Sequence, residues 1–120
     1  MSAPAWAAVA ALGGAGAFLR FVIDGVVAAR FGRDFPLGTL VVNASGALLL
    51  GLLAGAAVGG DAFTLAGAAT LGSYTTFSTW MFETQRLVEE GGLRNAAANI
   101  AVSLAVGLGA AALGRAIGGG

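Results

Sequence analysis

The hydrophobic pattern divides the chain into four long apolar stretches, roughly residues 5–28, 37–58, 62–88 and 93–117. Each is long enough to cross the hydrocarbon of a bilayer as an α-helix, which takes about 20 residues. The connectors between them are short. Arg30-Phe31-Gly32-Arg33-Asp34-Phe35-Pro36 is charged and ends in a proline suited to opening a helix. Gly59-Gly60-Asp61 has the composition of a tight turn, and Glu89-Glu90-Gly91-Gly92 ends the third stretch. The pattern predicts an all-α integral membrane protein of four transmembrane helices in one membrane domain over residues 1–120, with Gly118-Gly119-Gly120 as a disordered tail.

The third stretch is the irregular one. Gly72-Ser73-Tyr74-Thr75-Thr76-Phe77-Ser78-Thr79-Trp80 places four small or β-branched hydroxyl residues around one phenylalanine. Such residues compete with helical hydrogen bonding or strain it. The run predicts a break in the third membrane helix near residues 72–79. An unpaired amide or carbonyl in hydrocarbon costs several kcal/mol. A break therefore needs partners for its freed groups: the hydroxyls, a neighbouring helix, water, or a cation held by carbonyl oxygens. Composition alone equally allows an unbroken helix whose hydroxyls bond back to the preceding turn. Broken membrane helices surround ion or substrate sites.

Polar positions in the other stretches mark faces. Arg20 and Asp24 lie four apart and share a helix face. They form either an interfacial ion pair or, with Arg20 turned to a water-filled vestibule, an attractor for anions. Thr39 and Asn43 share a face of the second stretch. Asn43 either bonds a neighbouring helix or offers its amide N–H groups to an anion. Ala47, Gly51, Gly55 and Gly59 recur every four residues, a small-residue seam for tight packing, with Gly51 and Gly55 expected at a dimer contact. Glu83 follows the break. Asn95, Asn99, Ser103 and Gly107 draw a polar stripe along the fourth stretch, expected to face protein or water.

Composition strengthens the membrane assignment. Hydrophobic residues make up 58% of the chain and charged residues 10%, against roughly 25% charged in soluble domains. The absence of cysteine excludes disulfides and thiolate metal sites. Lysine and histidine are also absent, the net charge is zero, and the six arginines are dispersed, which does not suit a nucleic-acid surface. Met1-Ser2-Ala3-Pro4 lacks a basic leader region, so the first span is expected to be retained. No nucleophile–base pair or nucleotide loop is present, and no enzyme is expected. Arg30, Arg33, Arg86 and Arg94 fall on one side of the predicted spans and only Arg115 on the other. That bias puts the first and third connectors in the cytoplasm and both termini outside.

Three ordered motifs then resemble a known family. Gly72-x-x-Thr75-Thr76-Phe77-Ser78-Thr79 followed by Glu83 resembles the third-helix signature of the Fluc/CrcB fluoride channels. Gly13-Gly14-x-Gly16-Ala17-x-x-Arg20 resembles the family's first-helix motif, and Pro36-x-Gly38-Thr39-x-x-x-Asn43-x-x-Gly46 its second-helix motif. The resemblance covers essentially the whole chain. It implies a third helix broken at the membrane midplane, an antiparallel dual-topology dimer with two fluoride pathways, and passive export of toxic fluoride across the cell (inner) membrane. It implies a structural Na⁺ at the dimer centre, held by the main-chain carbonyls of Gly72 and Thr75 from each subunit. It places the fluoride pathway along Asn43, Phe77, Trp80, Ser103, Thr39 and Asn99, with Arg20 and Glu83 in vestibule or gating positions.

Three features depart from the family pattern. The second aromatic position holds Trp80 in place of phenylalanine. Asn99 stands where the fourth helix usually has tyrosine, and Gly107 where a hydroxyl is usual. The arginine bias favours one orientation, which makes an antiparallel heterodimer with a paired homologue an alternative to a homodimer. Two other functions compete. A small multidrug-type four-helix transporter needs a membrane carboxylate early in the first span, where only Asp24 near the far end is offered. A non-conducting accessory subunit suits the glycine seam and the departures.

Overall fold

The computed structural model describes residues 1–119, and every regular element among them is helical. Helix α1 (Ala3–Phe31) starts where the Ser2 hydroxyl accepts the Ala5 N–H at 3.2 Å. It ends at Gly32, whose φ of 79° lies in the left-handed region. The helix is 29 residues long, a few residues more at each end than the apolar pattern indicates, because capping and not hydrophobicity sets its ends. Helix α2 (Leu37–Gly55) stops three residues short of the apolar stretch, where Ala57 turns through a positive φ of 56°.

The third stretch is assembled from pieces. Helix α3 (Gly60–Phe63) runs into a π-helical segment (Thr64–Leu71), then α4 (Gly72–Tyr74). The chain leaves helical geometry at Thr75 (φ −76°, ψ 160°) and re-enters it in α5 (Ser78–Glu89). Gly72 itself is helical (φ −63°, ψ −35°), so the irregular residues are 75–77, a narrower window than 72–79. The π-helical turn is a feature the residue pattern does not announce. Helix α6 (Leu93–Gly118) follows and is capped by Gly119 in the left-handed conformation. Gly118 and Gly119 are thus part of the helix end, and Gly120 lies outside the described residues.

Helix α2 packs most extensively on α6, through glycine on both sides. A Cβ at Gly51 would collide with the Ala111 carbonyl and one at Gly55 with the Arg115 carbonyl. From the other side, a Cβ at Gly114 would collide with the Leu48 carbonyl. The seam is therefore a contact within one chain. This corrects the expectation that Gly51 and Gly55 serve dimer packing. Lipid gives no hydrophobic reason for helices to associate, so backbone proximity and dispersion hold such pairs. Helix α1 covers the π-helical segment, α4 and part of α2. The buried centre is small: Val42, Leu71 and Tyr74, closed by Ile23 and Leu53.

Most apolar bulk faces outward, including Phe18, Phe21, Phe31, Leu108 and Ile117. A water-facing protein does not carry so much exposed apolar surface, and a lipid-facing one requires it. Helices α1, α2 and α6 are each long and apolar enough to cross a membrane. The molecule extends 50 Å along its longest axis, enough for a bilayer of ~40–45 Å including headgroups. It is a multi-pass membrane protein.

The seam yields a prediction. Gly51→Val should destabilise the protein by about 1–3 kcal/mol through overpacking, seen as a lower melting temperature in detergent. Gly14→Ala, where an added Cβ meets nothing within 4 Å, should leave the melting temperature unchanged.

Candidate functional site

The site is built on the backbone bonds that residues 75–77 forgo. In a continuous α-helix the Thr76 N–H would bond the Gly72 carbonyl, and the Thr79 N–H the Thr75 carbonyl. Here Thr76 N–H donates to Asn43 Oδ1 at 2.8 Å, and Thr79 N–H to Thr76 Oγ1 at 3.2 Å. Asn43 Nδ2 donates in return to the Thr76 carbonyl at 2.8 Å. One carboxamide on α2 thus exchanges two hydrogen bonds with the backbone N–H and C=O of one residue, Thr76. The Thr76 hydroxyl caps the restarting helix and donates to Thr79 Oγ1 at 3.1 Å. Thr75 closes the preceding turn, with both its N–H and its hydroxyl on the Leu71 carbonyl. The carbonyls of Gly72 and Thr75 are released from α-helical bonding as a result.

Close approach of α2 makes this possible. A Cβ at Gly46 would collide with Thr75 Cγ2, so glycine there lets Asn43, three residues earlier, reach the segment. Ser45 and Tyr74 add a hydroxyl–hydroxyl bond of 2.9 Å beside it.

Two cavities meet at Thr76. The first is an open groove of about 530 Å³, lined among others by Asn43, Gly72, Thr75, Phe77 and Trp80. Phe77 is 70% exposed within it and stands perpendicular to Trp80, with ring centroids 5.7 Å apart. The second, about 250 Å³, is bordered by Arg20, Asp24, Thr39, Thr76 and Thr79. Thr39 donates its hydroxyl proton to Glu83 Oε1, which ties Glu83 to the wall of that cavity. Hydrogen bonding to Thr76 uses one of the two N–H groups of the Asn43 amide. The second N–H has no protein partner among the described residues.

The structure sorts the residues singled out by sequence. Gly72, Thr75, Asn43, Phe77 and Trp80 come together at the groove, and Arg20 and Thr39 at the smaller cavity. Arg20 is not paired with Asp24. The carboxylate turns to Arg33 at 3.4 Å, and Arg20 has no ion pair among the described residues. Asn99 is 1% exposed and borders neither cavity. Its amide is spent on Thr84 Oγ1 at 2.8 Å. Ser103 is half-buried on α6 and also lies outside both cavities. Thr79 stands in the hydroxyl run that the sequence marks, and Thr84 does not. The Thr76-x-x-Thr79 spacing is a usable signal for the cap, whereas nothing local marks Thr84.

Comparison with known proteins places this architecture. Residues 7–115 match a family model described as CrcB-like protein, Camphor Resistance (CrcB). The chain belongs to the CrcB family. It is 61% identical over 110 residues to the fluoride-specific ion channel FluC 2 of Mycolicibacterium paratuberculosis, covering 92% of this chain and 90% of that protein. The FluC 2 of Mycobacterium tuberculosis is 56% identical, with 92% and 87% covered. The FluC 1 of Frankia casuarinae is 43% identical over 121 residues, with 93% and 94% covered.

The Asn43–Thr76 exchange predicts a stability effect. Asn43→Leu leaves two backbone groups of Thr76 without partners, at 1–3 kcal/mol each or roughly 2–6 kcal/mol together. Asn43→Asp keeps the acceptor and should lose less. Thermal unfolding of the purified variants in detergent checks the order.

Proposed function

We propose that the whole chain forms one membrane domain that works as a fluoride-selective channel, exporting fluoride passively across the cell membrane. The observation that carries this is the likeness, over nine-tenths of both chains, to a protein named as a fluoride-specific ion channel. That likeness also disfavours a multidrug transporter or an enzyme. In this reading residues 60–89 form the third span, and the irregular residues 75–77 lie at membrane mid-depth. An antiparallel second subunit faces the groove that contains them.

The chemistry supports the reading. Fluoride is small and strongly hydrated, so its water must be replaced by donors as it enters low dielectric. Arg20 raises the local anion concentration at the smaller cavity. The Thr79 hydroxyl at that cavity and the second Asn43 N–H at the groove supply donors on either side of Thr76, which borders both. At the groove the positive ring edge of Phe77 faces a passing anion without a competing acceptor. The Trp80 indole N–H is bonded to the Asn99 carbonyl at 3.1 Å, so Trp80 contributes a ring and not a donor.

The released carbonyls of Gly72 and Thr75 fit Na⁺, a hard cation that takes neutral oxygen ligands. We assign them as its holders, two per subunit, in a dimer with a second copy or with a paired homologue. Bound there, the ion supplies a fixed positive charge and cross-links the two segments. Gly72 is exposed on the groove, as a ligand shared between subunits must be.

Liposomes holding this protein should release fluoride and retain chloride. Phe77→Ile should slow fluoride release by about tenfold or more, equivalent to ~1.4 kcal/mol of barrier, while the dimer stays assembled. Unchanged release would remove Phe77 from the pathway. Release that requires co-reconstitution with a paired homologue would establish the heterodimer.

A further inference from the structure

Three residues that the pathway described above does not use as donors form a closed hydrogen-bond cycle between α5 and α6. Trp80 Nε1–H donates to the Asn99 carbonyl at 3.1 Å. Asn99 Nδ2 donates to Thr84 Oγ1 at 2.8 Å. The Thr84 hydroxyl donates to the Trp80 carbonyl at 2.9 Å. The Asn99 and Thr84 side chains are almost wholly enclosed, at 1% and 8% exposure, and no buried side-chain nitrogen or oxygen among the described residues lacks a partner.

The cycle controls an aromatic ring at the groove. Indole is larger than phenyl and carries a donor that must find an acceptor when it is enclosed. Bonding that donor to the α6 backbone fixes the indole plane. The Asn99–Thr84 bond in turn fixes α6 against the turn of α5 that carries Trp80. The held ring stands at 86° to Phe77, which has little else to restrain it at 70% exposure. Without the cycle the indole is free to rotate into the groove that both rings line.

We propose that Thr84 and Asn99 are positioning residues that lock the Trp80 indole against α6 and so hold it as the perpendicular partner of Phe77 at the edge of the groove. The proposal rests on the channel reading, because the groove must be part of the pathway for the lock to matter to transport. Two positions that look unrelated in the sequence, an unusual tryptophan and an unusual asparagine, are halves of one device. Thr84 completes it.

The test uses full-length protein in liposomes, with Trp6→Phe leaving Trp80 as the sole indole. Thr84→Val keeps the shape but removes both the donor and the acceptor. It should slow fluoride release by about tenfold and lower the fluorescence anisotropy of Trp80. Thr84→Ser, which keeps the hydroxyl, should restore both. In a Trp80→Phe background, Thr84→Val should change the release rate by no more than about twofold, since no indole is left to hold. Should Thr84→Val fail to assemble, Asn99→Ala is measured in the same two ways. An equal loss of flux in the Trp80→Phe background, or an unchanged Trp80 anisotropy, overturns the proposal. If the unsubstituted protein carries no fluoride either alone or co-reconstituted with a paired homologue, the channel reading fails and the proposal falls with it. If it carries fluoride and the anisotropy stays flat, the proposal alone fails.

Discussion

The exchange of two hydrogen bonds between the Asn43 side chain and the Thr76 backbone is the interaction on which the rest depends. Hydrocarbon offers no water to a freed amide or carbonyl, so an irregular membrane segment exists only where protein supplies both kinds of partner. A carboxamide is the smallest neutral side chain that carries a donor and an acceptor side by side. Its use at Thr76 has a second effect. The donors that would have occupied the Gly72 and Thr75 carbonyls are diverted, and two neutral oxygens are left for something other than a helix. Satisfying the Thr76 backbone and releasing the Gly72 and Thr75 carbonyls are one event.

That event requires α2 to stand very close to the irregular segment, and the glycines account for it. Gly46 makes room for Thr75, while Gly51, Gly55 and Gly114 bring α2 against α6. Helix α2 is therefore fixed against the α6 backbone on one side and against the Thr75 methyl on the other, without interlocking large side chains. Large side chains are left to point outward, where lipid accepts them. Small residues thus build the close contacts of α2, and most of the large apolar ones meet the membrane.

Much of this was legible in the sequence. The four apolar stretches locate the helices, and the hydroxyl run around Phe77 locates the irregular residues to within a few positions. Asn43 was legible as important but not in role, because a lone membrane asparagine serves equally as a brace or as an anion donor. The structure gives it the first role and leaves one N–H for the second. Three things were hidden for physical reasons. A seam of small residues states that something comes close, but not whether it is the same chain; Gly51 and Gly55 meet α6 of the same chain. Helical spacing put Asp24 beside Arg20, yet a carboxylate near a helix end also reaches the following connector, where Arg33 takes it. Asn99 belongs to a polar stripe by spacing, but its partners Trp80 and Thr84 lie on another helix, and no local pattern reports them.

The most direct test of the central claim is amide hydrogen exchange at Thr76 in the lipid-embedded protein. Its N–H lies outside regular helix but is bonded to Asn43 Oδ1. Protection comparable to that of the α5 amides is expected. Exchange at the rate of an exposed loop amide would show that Asn43 does not hold the segment, and would contradict the account.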